Sequence, residues 1–133
     1  MKKLYGVTAA MVTPFTENGK VDTRNLAILT DKLVKKGIHC LYPCGTTGEM
    51  VHLTEDERKE IAETVVRAAD GRARVFIHCG AMRQEETEAL LDHAFSIGAD
   101  GAGIVTPMFL GADDKETAVY YKRLSSLVPS DFP

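Results

Sequence analysis

The stretch Cys40-Leu41-Tyr42-Pro43-Cys44-Gly45-Thr46-Thr47-Gly48-Glu49 runs from a short apolar segment directly into a loop of two glycines and two adjacent threonines. The apolar part has the length of a short buried strand. The glycines let the backbone turn tightly and approach a ligand closely. Two neighbouring threonines add two hydroxyls and their own N–H groups. Donors packed that closely at a strand end suit a small anion, with a carboxylate as the simplest candidate. The competing reading is a strand-to-loop turn whose hydroxyls satisfy local backbone groups.

On either side of this stretch, strand-like and helix-like periods alternate four times. Upstream, Tyr5–Val12 is apolar and β-prone. Asp22 then opens a helix with the stripe Leu26, Leu29, Leu33 and Val34, closed by Lys35-Lys36-Gly37. His39–Cys44 is the second strand. Downstream, Thr54-Glu55-Asp56-Glu57 reads as a capping box. The helix it starts buries Ile61, Ala62, Val65 and Ala69 and ends near Asp70-Gly71. Arg74–Cys79 is the third strand. Arg83–Ile97 is the third helix, with Leu90, Leu91, Ala94 and Phe95 on one face and Gly98 after it. Gly101–Thr106 is the fourth strand. Asp113–Val128 is the fourth helix, with Tyr120, Leu124, Leu127 and Val128 along its stripe.

Short strands nearly continuous in apolar residues suit a parallel sheet covered by helices. A unit that recurs about every thirty residues implies an α/β fold. Two architectures compete: a doubly wound open sheet, and a (βα)8 TIM barrel of which this chain supplies the first four βα units. No G-x-G-x-x-G follows the first strand, so the dinucleotide-binding open sheet lacks its fingerprint. In a barrel, chemistry sits at the C-terminal ends of strands. The unusual residues lie there: Thr13-Pro14, Gly45–Glu49, Gly80-Ala81 and Thr106-Pro107-Met108-Phe109.

The bulk numbers narrow the function classes. The chain has 133 residues, 26% of them charged, and a net charge of −3. No basic cluster exceeds Lys2-Lys3 or Lys35-Lys36, which argues against nucleic acid. No apolar run approaches a membrane span. Met1-Lys2-Lys3 before Leu4–Val12 has the outline of a signal peptide, but Thr13-Pro14-Phe15 follows where small residues are required. Residues 4–12 therefore read as a strand, and the expected compartment is the cytoplasm. Three cysteines give no disulfide framework. His78-Cys79 reads as an ordinary strand end, with half of a metal or nucleophile site as the competing reading; Cys40, Cys44 and Cys79 read as buried free thiols. No cofactor and no metal are expected.

Three segments together resemble the dihydrodipicolinate synthase/N-acetylneuraminate lyase family of class I aldolases. They are Val12-Thr13-Pro14-Phe15 with Asn18-Gly19-Lys20-Val21-Asp22; Gly45-Thr46-Thr47-Gly48-Glu49 with Leu53-Thr54-Glu55-Asp56-Glu57-Arg58; and Val105-Thr106-Pro107. The resemblance runs from about residue 4 to the end. It implies a single barrel domain, of which residues 1–133 are the N-terminal half, and a homo-oligomer built as a dimer of dimers. It implies a Schiff base between a lysine on the sixth strand and pyruvate or another 2-oxo acid, which is added to, or released from, an aldehyde or sugar acid. It also implies site roles. Thr47, beside Gly45, holds the 2-oxo acid carboxylate, and Thr46 joins the proton relay with a tyrosine of the fifth strand.

Four departures from the family pattern qualify that reading. The chain stops at Pro133, about where a fifth strand is expected, so the lysine and relay tyrosine fall outside it. The nine lysines are 2, 3, 20, 32, 35, 36, 59, 115 and 122, and none falls at the end of a strand. The position of a second relay tyrosine, contributed across the tight dimer in synthases, holds Phe109, which favours an aldolase, lyase or dehydratase over a synthase. The lysine-feedback site of bacterial synthases is poorly matched: Met82 stands where asparagine is common, Glu55 and Arg58 where histidines occur, and Glu86 alone agrees. The alternative function is a non-catalytic half-barrel that assembles with another chain.

Overall fold

The computed structural model describes residues 5–108 and 111–133. Strand β1 spans Thr8–Ala10, and helix α1 spans Thr23–Lys35. Strand β2 spans Cys40–Tyr42, and helix α2 spans Glu55–Ala69. Strand β3 (Arg74–His78), helix α3 (Gln84–Ser96), strand β4 (Gly101–Gly103) and helix α4 (Asp114–Ser125) follow. The four strands form one sheet in the order β1-β2-β3-β4, every pair parallel.

That order decides between the two architectures. A doubly wound sheet reverses its strand order and places helices on both faces. Here the order never reverses, and right-handed crossovers then put every helix on the same face. The core confirms it. Leu41, Val75, Ile77 and Cys79 join Leu26, Ile61, Val65, Leu90, Leu91, Tyr120 and Leu124 in one cluster between sheet and helices. Alternate strand residues, among them Tyr42, Phe76 and His78, point to the opposite face. The sheet is an arc of a barrel, with its inner wall formed by those residues.

Local chemistry explains the element ends. The Asp22 carboxylate accepts from the Asn25 N–H at the start of α1 (2.9 Å). In α2, Thr54 Oγ1 accepts from the Glu57 N–H (3.2 Å), and the Glu57 carboxylate accepts from the Thr54 N–H (2.8 Å). Asp113 and Glu116 repeat this reciprocal box at α4. Such caps satisfy N–H groups that the first helical turn leaves unpaired, each contributing about 1 kcal/mol.

Several expectations need correction. Each ladder is shorter than the apolar run that carries it, because the chain leaves the sheet early to build the loops of the C-terminal face. Tyr5, Val7 and Val12 are exposed, on the strand that forms one edge of the sheet. Phe95 is not core: it sits at the rim and packs edge-on against Phe132, ring centres 5.4 Å apart. Leu127 lies beyond the last turn of α4 and stays at the surface. Thr30, Thr64 and Thr87 take core places that periodicity did not assign. Thr30 can do so because its hydroxyl donates to the Leu26 carbonyl one turn back (2.9 Å).

The arc leaves its inner face without a covering layer among the described residues, and β1 has no strand on its outer side. At the other edge, Ala102 of β4 donates its N–H to the Pro133 carbonyl (2.9 Å), where a fifth parallel strand would pair. The unpaired edge at β1 promotes association. We expect the polypeptide of residues 1–133, prepared alone, to sediment as dimers or larger species. A monodisperse monomer with a sharp melt would contradict the barrel-arc reading of the wall.

Candidate active site

The loop that follows β2 is built on strain. Cys44, at its entrance, has φ 60°, and Glu49, at its exit, has φ 61°. Both are left-handed non-glycine residues, a conformation costing roughly 1–2 kcal/mol each. The glycines therefore serve closeness rather than a left-handed turn. A Cβ on Gly48 would lie 3.0 Å from the Met11 carbonyl oxygen, so a larger residue would lift the loop off the end of β1. Thr13 fixes that contact by donating its hydroxyl to the Gly48 carbonyl (2.7 Å, buried). Between the two strained residues, Thr46–Gly48 form a single tight helical turn, closed by Gly48 N–H to Gly45 carbonyl at 3.0 Å.

Thr46 and Thr47 are exposed on this turn, and their hydroxyls have no hydrogen-bond partner among the described residues. The turn thus presents two free hydroxyls from a backbone held by the Gly48, Glu49 and Met50 amides and by Thr13. The alternative, in which the hydroxyls satisfy the local backbone, is not what the geometry gives: Thr13 does that work instead. Gly45 is buried against the ring of Tyr42.

Below the turn lies a wall that sequence reasoning did not assemble. Tyr42 and His78 meet edge-to-face, ring centres 6.0 Å apart. Tyr42 reaches across the sheet to β4, where its hydroxyl would clash with any Cβ at Gly103. That glycine is therefore the space into which Tyr42 fits. Burial holds the Tyr42 phenol above its ordinary pKa.

Arg58 of α2 is 2% exposed. Its guanidinium donates to the carbonyls of His78 (2.8 Å) and Gly80 (3.0 Å) at the end of β3. One nitrogen also lies 3.4 Å from His78 Nδ1. A guanidinium only donates, so Nδ1 accepts and the imidazole is neutral. Burial first, and the Arg58 charge second, push the His78 pKa down to about 4; a hydrogen bond to the Cys44 backbone weakly opposes them. The sequence places Arg58 in the family motif and at a feedback-site position, but nothing in it marks the side chain as buried.

The structure also separates residues that the sequence placed side by side. His78 faces Tyr42 and Arg58, whereas Cys79 faces α3, its thiol 3.5 Å from the Leu90 carbonyl. Successive strand residues point to opposite faces, so the pair forms no joint site. Burial pushes the thiols of Cys44 and Cys79 up to about 12 and leaves them un-ionised. Of the feedback-site positions, Met82, Glu86 and Arg58 line one cleft with Met50, Val51 and Met108. Glu55 is not there: it pairs with Lys59 at 2.5 Å. Arg58 is committed to the β3 carbonyls. Phe109 lies outside the described residues. Lys20, Lys32, Lys35, Lys36, Lys59, Lys115 and Lys122 all sit in the hairpin after β1 or on helices. Lys2 and Lys3 lie outside the described residues.

A neutral, buried His78 has a measurable consequence. Between pH 6.5 and about 4 the unfolded imidazole takes up a proton that the folded one refuses. Its contribution to stability is thus complete above pH 6.5 and is lost as pH falls toward 4. An NMR titration of the folded protein should show the His78 ring neutral until near pH 4; a midpoint near 6.5 would contradict the buried geometry.

Comparison with known proteins identifies the family and the fold. Human N-acetylneuraminate lyase is 37% identical over 132 residues, which cover 97% of this chain and 41% of the human protein. Dihydrodipicolinate synthase from Aquifex aeolicus superposes with a TM-score of 0.92 at 34% identity, over 98% of this chain and 43% of that one. An E. coli K12 prophage protein of the dihydrodipicolinic acid synthase family, solved in complex with pyruvate, superposes at 0.89 with 32% identity, covering 92% and 41%. The chain spans about two fifths of the length of these relatives, as the first four units of an eight-unit TIM barrel. Residues 3–129 match the dihydrodipicolinate synthetase family, and the chain belongs to it.

Proposed function

We propose that the protein carrying this chain is a Schiff-base aldolase that adds pyruvate or a related 2-oxo acid to an aldehyde, or releases it from a sugar acid. The carrying observation is the braced turn after β2, whose two free hydroxyls stand at the C-terminal end of a barrel strand. Thr47 binds the carboxylate of the 2-oxo acid, with Gly45 packed beside it. Thr46 passes protons. Phe109 has no ionisable hydroxyl, which favours a lyase over a synthase. The similarity to N-acetylneuraminate lyases supports the same direction. Residues 1–133 form the N-terminal half of one barrel domain in a cytoplasmic dimer of dimers. Among the described residues, no helix is long and apolar enough to cross a membrane.

The Schiff-base lysine of this reading lies outside residues 1–133. A nucleophilic lysine must lose its proton near neutral pH, which requires burial or a neighbouring cation. Six of the seven described lysines are exposed, and the seventh, Lys59, has its pKa raised by Glu55. Reduction with borohydride in the presence of pyruvate, followed by peptide mass analysis, should leave every peptide from residues 1–133 unmodified. An adduct on any of the nine lysines would overturn this part of the proposal.

The two threonines have separable kinetic signatures. Thr47→Val removes a hydrogen bond to a carboxylate, worth about 1.5–3 kcal/mol. The KM for the 2-oxo acid should rise about ten- to a hundredfold. Thr46→Val should act on kcat instead, since its role is confined to proton transfer. Steady-state kinetics of both variants in the complete enzyme provide the check, and unchanged constants in both would reduce the turn to a structural element.

A further inference from the structure

Arg58 is the most deeply buried charged side chain among the described residues, and no carboxylate pairs with it there. Its Nε has no hydrogen-bond partner. Burying a cation without a counter-charge is unfavourable unless other groups replace its hydration. Here the carbonyls of His78 and Gly80 do so from one side. Those carbonyls belong to the end of β3, and from there the contacts lead back to the strained turn. The His78 N–H donates to the Pro43 carbonyl (3.2 Å), one residue before the hinge. The Cys44 thiol lies 3.7 Å from the Arg58 carbonyl. Arg58 therefore reaches the left-handed hinge Cys44 through its own backbone, and the residue before it, Pro43, through His78. Cys44 immediately precedes Gly45-Thr46-Thr47.

We propose that Arg58 is a positioning residue. By fastening α2 to the end of β3, its forked guanidinium fixes the hinge at Cys44 and so the placement of Thr46 and Thr47. The inference rests on the 2-oxo acid reading of that turn, and it adds a residue that touches no substrate. A lysine cannot replace the fork, because one ammonium on a flexible stem does not hold two carbonyls in a fixed plane.

The test compares Arg58→Lys and Arg58→Met with the parent in the complete enzyme. Both variants should keep the fold by circular dichroism. The KM for the 2-oxo acid should rise roughly fivefold or more and kcat should fall with it, because Thr46 moves together with Thr47, and the lysine variant should be the milder. A lower Tm with an unchanged KM means that Arg58 only stabilises the barrel, and overturns the proposal. Should the methionine variant not fold, the lysine variant decides by the same criterion. Hydrogen–deuterium exchange gives a readout independent of activity: the Gly48 and Glu49 amides, bonded to Gly45 and Thr46, should exchange faster in Arg58→Lys. Equal exchange overturns the positioning role. If the parent traps no 2-oxo acid with borohydride, the aldolase reading fails while the exchange experiment still decides on Arg58.

Discussion

Right-handed crossovers between parallel strands, taken in an order that never reverses, place all four helices on one face of the sheet. Everything else in the molecule follows from that asymmetry. The outer face is an ordinary core, where aliphatic residues of β2 and β3 meet α1 to α4. The inner face has no helices, so its side chains are chosen by each other. Phe76 sits against Gly101, and Tyr42 against Gly103. Two glycines on β4 are the complement of two aromatic rings, one on the adjacent β3 and one reaching across from β2.

The same asymmetry makes the C-terminal ends of the strands a place where loops are shaped by close backbone packing. The turn after β2 is flanked by left-handed residues that are not glycine, a conformation that persists only where the surroundings impose it. The surroundings here are specific: Thr13 from the end of β1, the His78 N–H from β3, and the backbone of α2 at Arg58. Contacts from both flanking strands and from α2 thus converge on Pro43, Cys44 and Gly48. The two threonine hydroxyls are left over for a ligand because Thr13, and not Thr46 or Thr47, satisfies the Gly48 carbonyl. This is a preorganised site in the physical sense: the strain is carried in the resting fold and not imposed when substrate arrives.

The buried arginine shows how a polar network can do structural and functional work together. Burial first, and the Arg58 charge second, keep His78 neutral, and neutral His78 can accept from Arg58 at Nδ1. A protonated imidazole would set two cations side by side away from water. The pair is therefore self-consistent in one protonation state only, which makes the wall beneath the turn rigid across the neutral range.

Periodicity and caps were legible in the sequence because they depend on residues close in the chain. The capping box of Thr54 with Glu57 forms as read, and the helices opened by Asp22 and Asp113 start with contacts over three residues as well. Four βα units, the stripe through Ile61 and Val65, and the unusual character of Gly45–Glu49 came from the same local information, as did the family. Partners 20 to 60 residues apart were not legible. Arg58 looks like any helix arginine until β3 arrives beside it, and Gly103 looks like a weak strand residue until Tyr42 lies over it. Leu127 and Phe95 carried the right period but sit where the core ends. Local sequence determined which elements form and where they start. Tertiary structure alone decided which polar groups are buried and which threonines stay free, because those outcomes depend on distances that exist only once the strands are side by side.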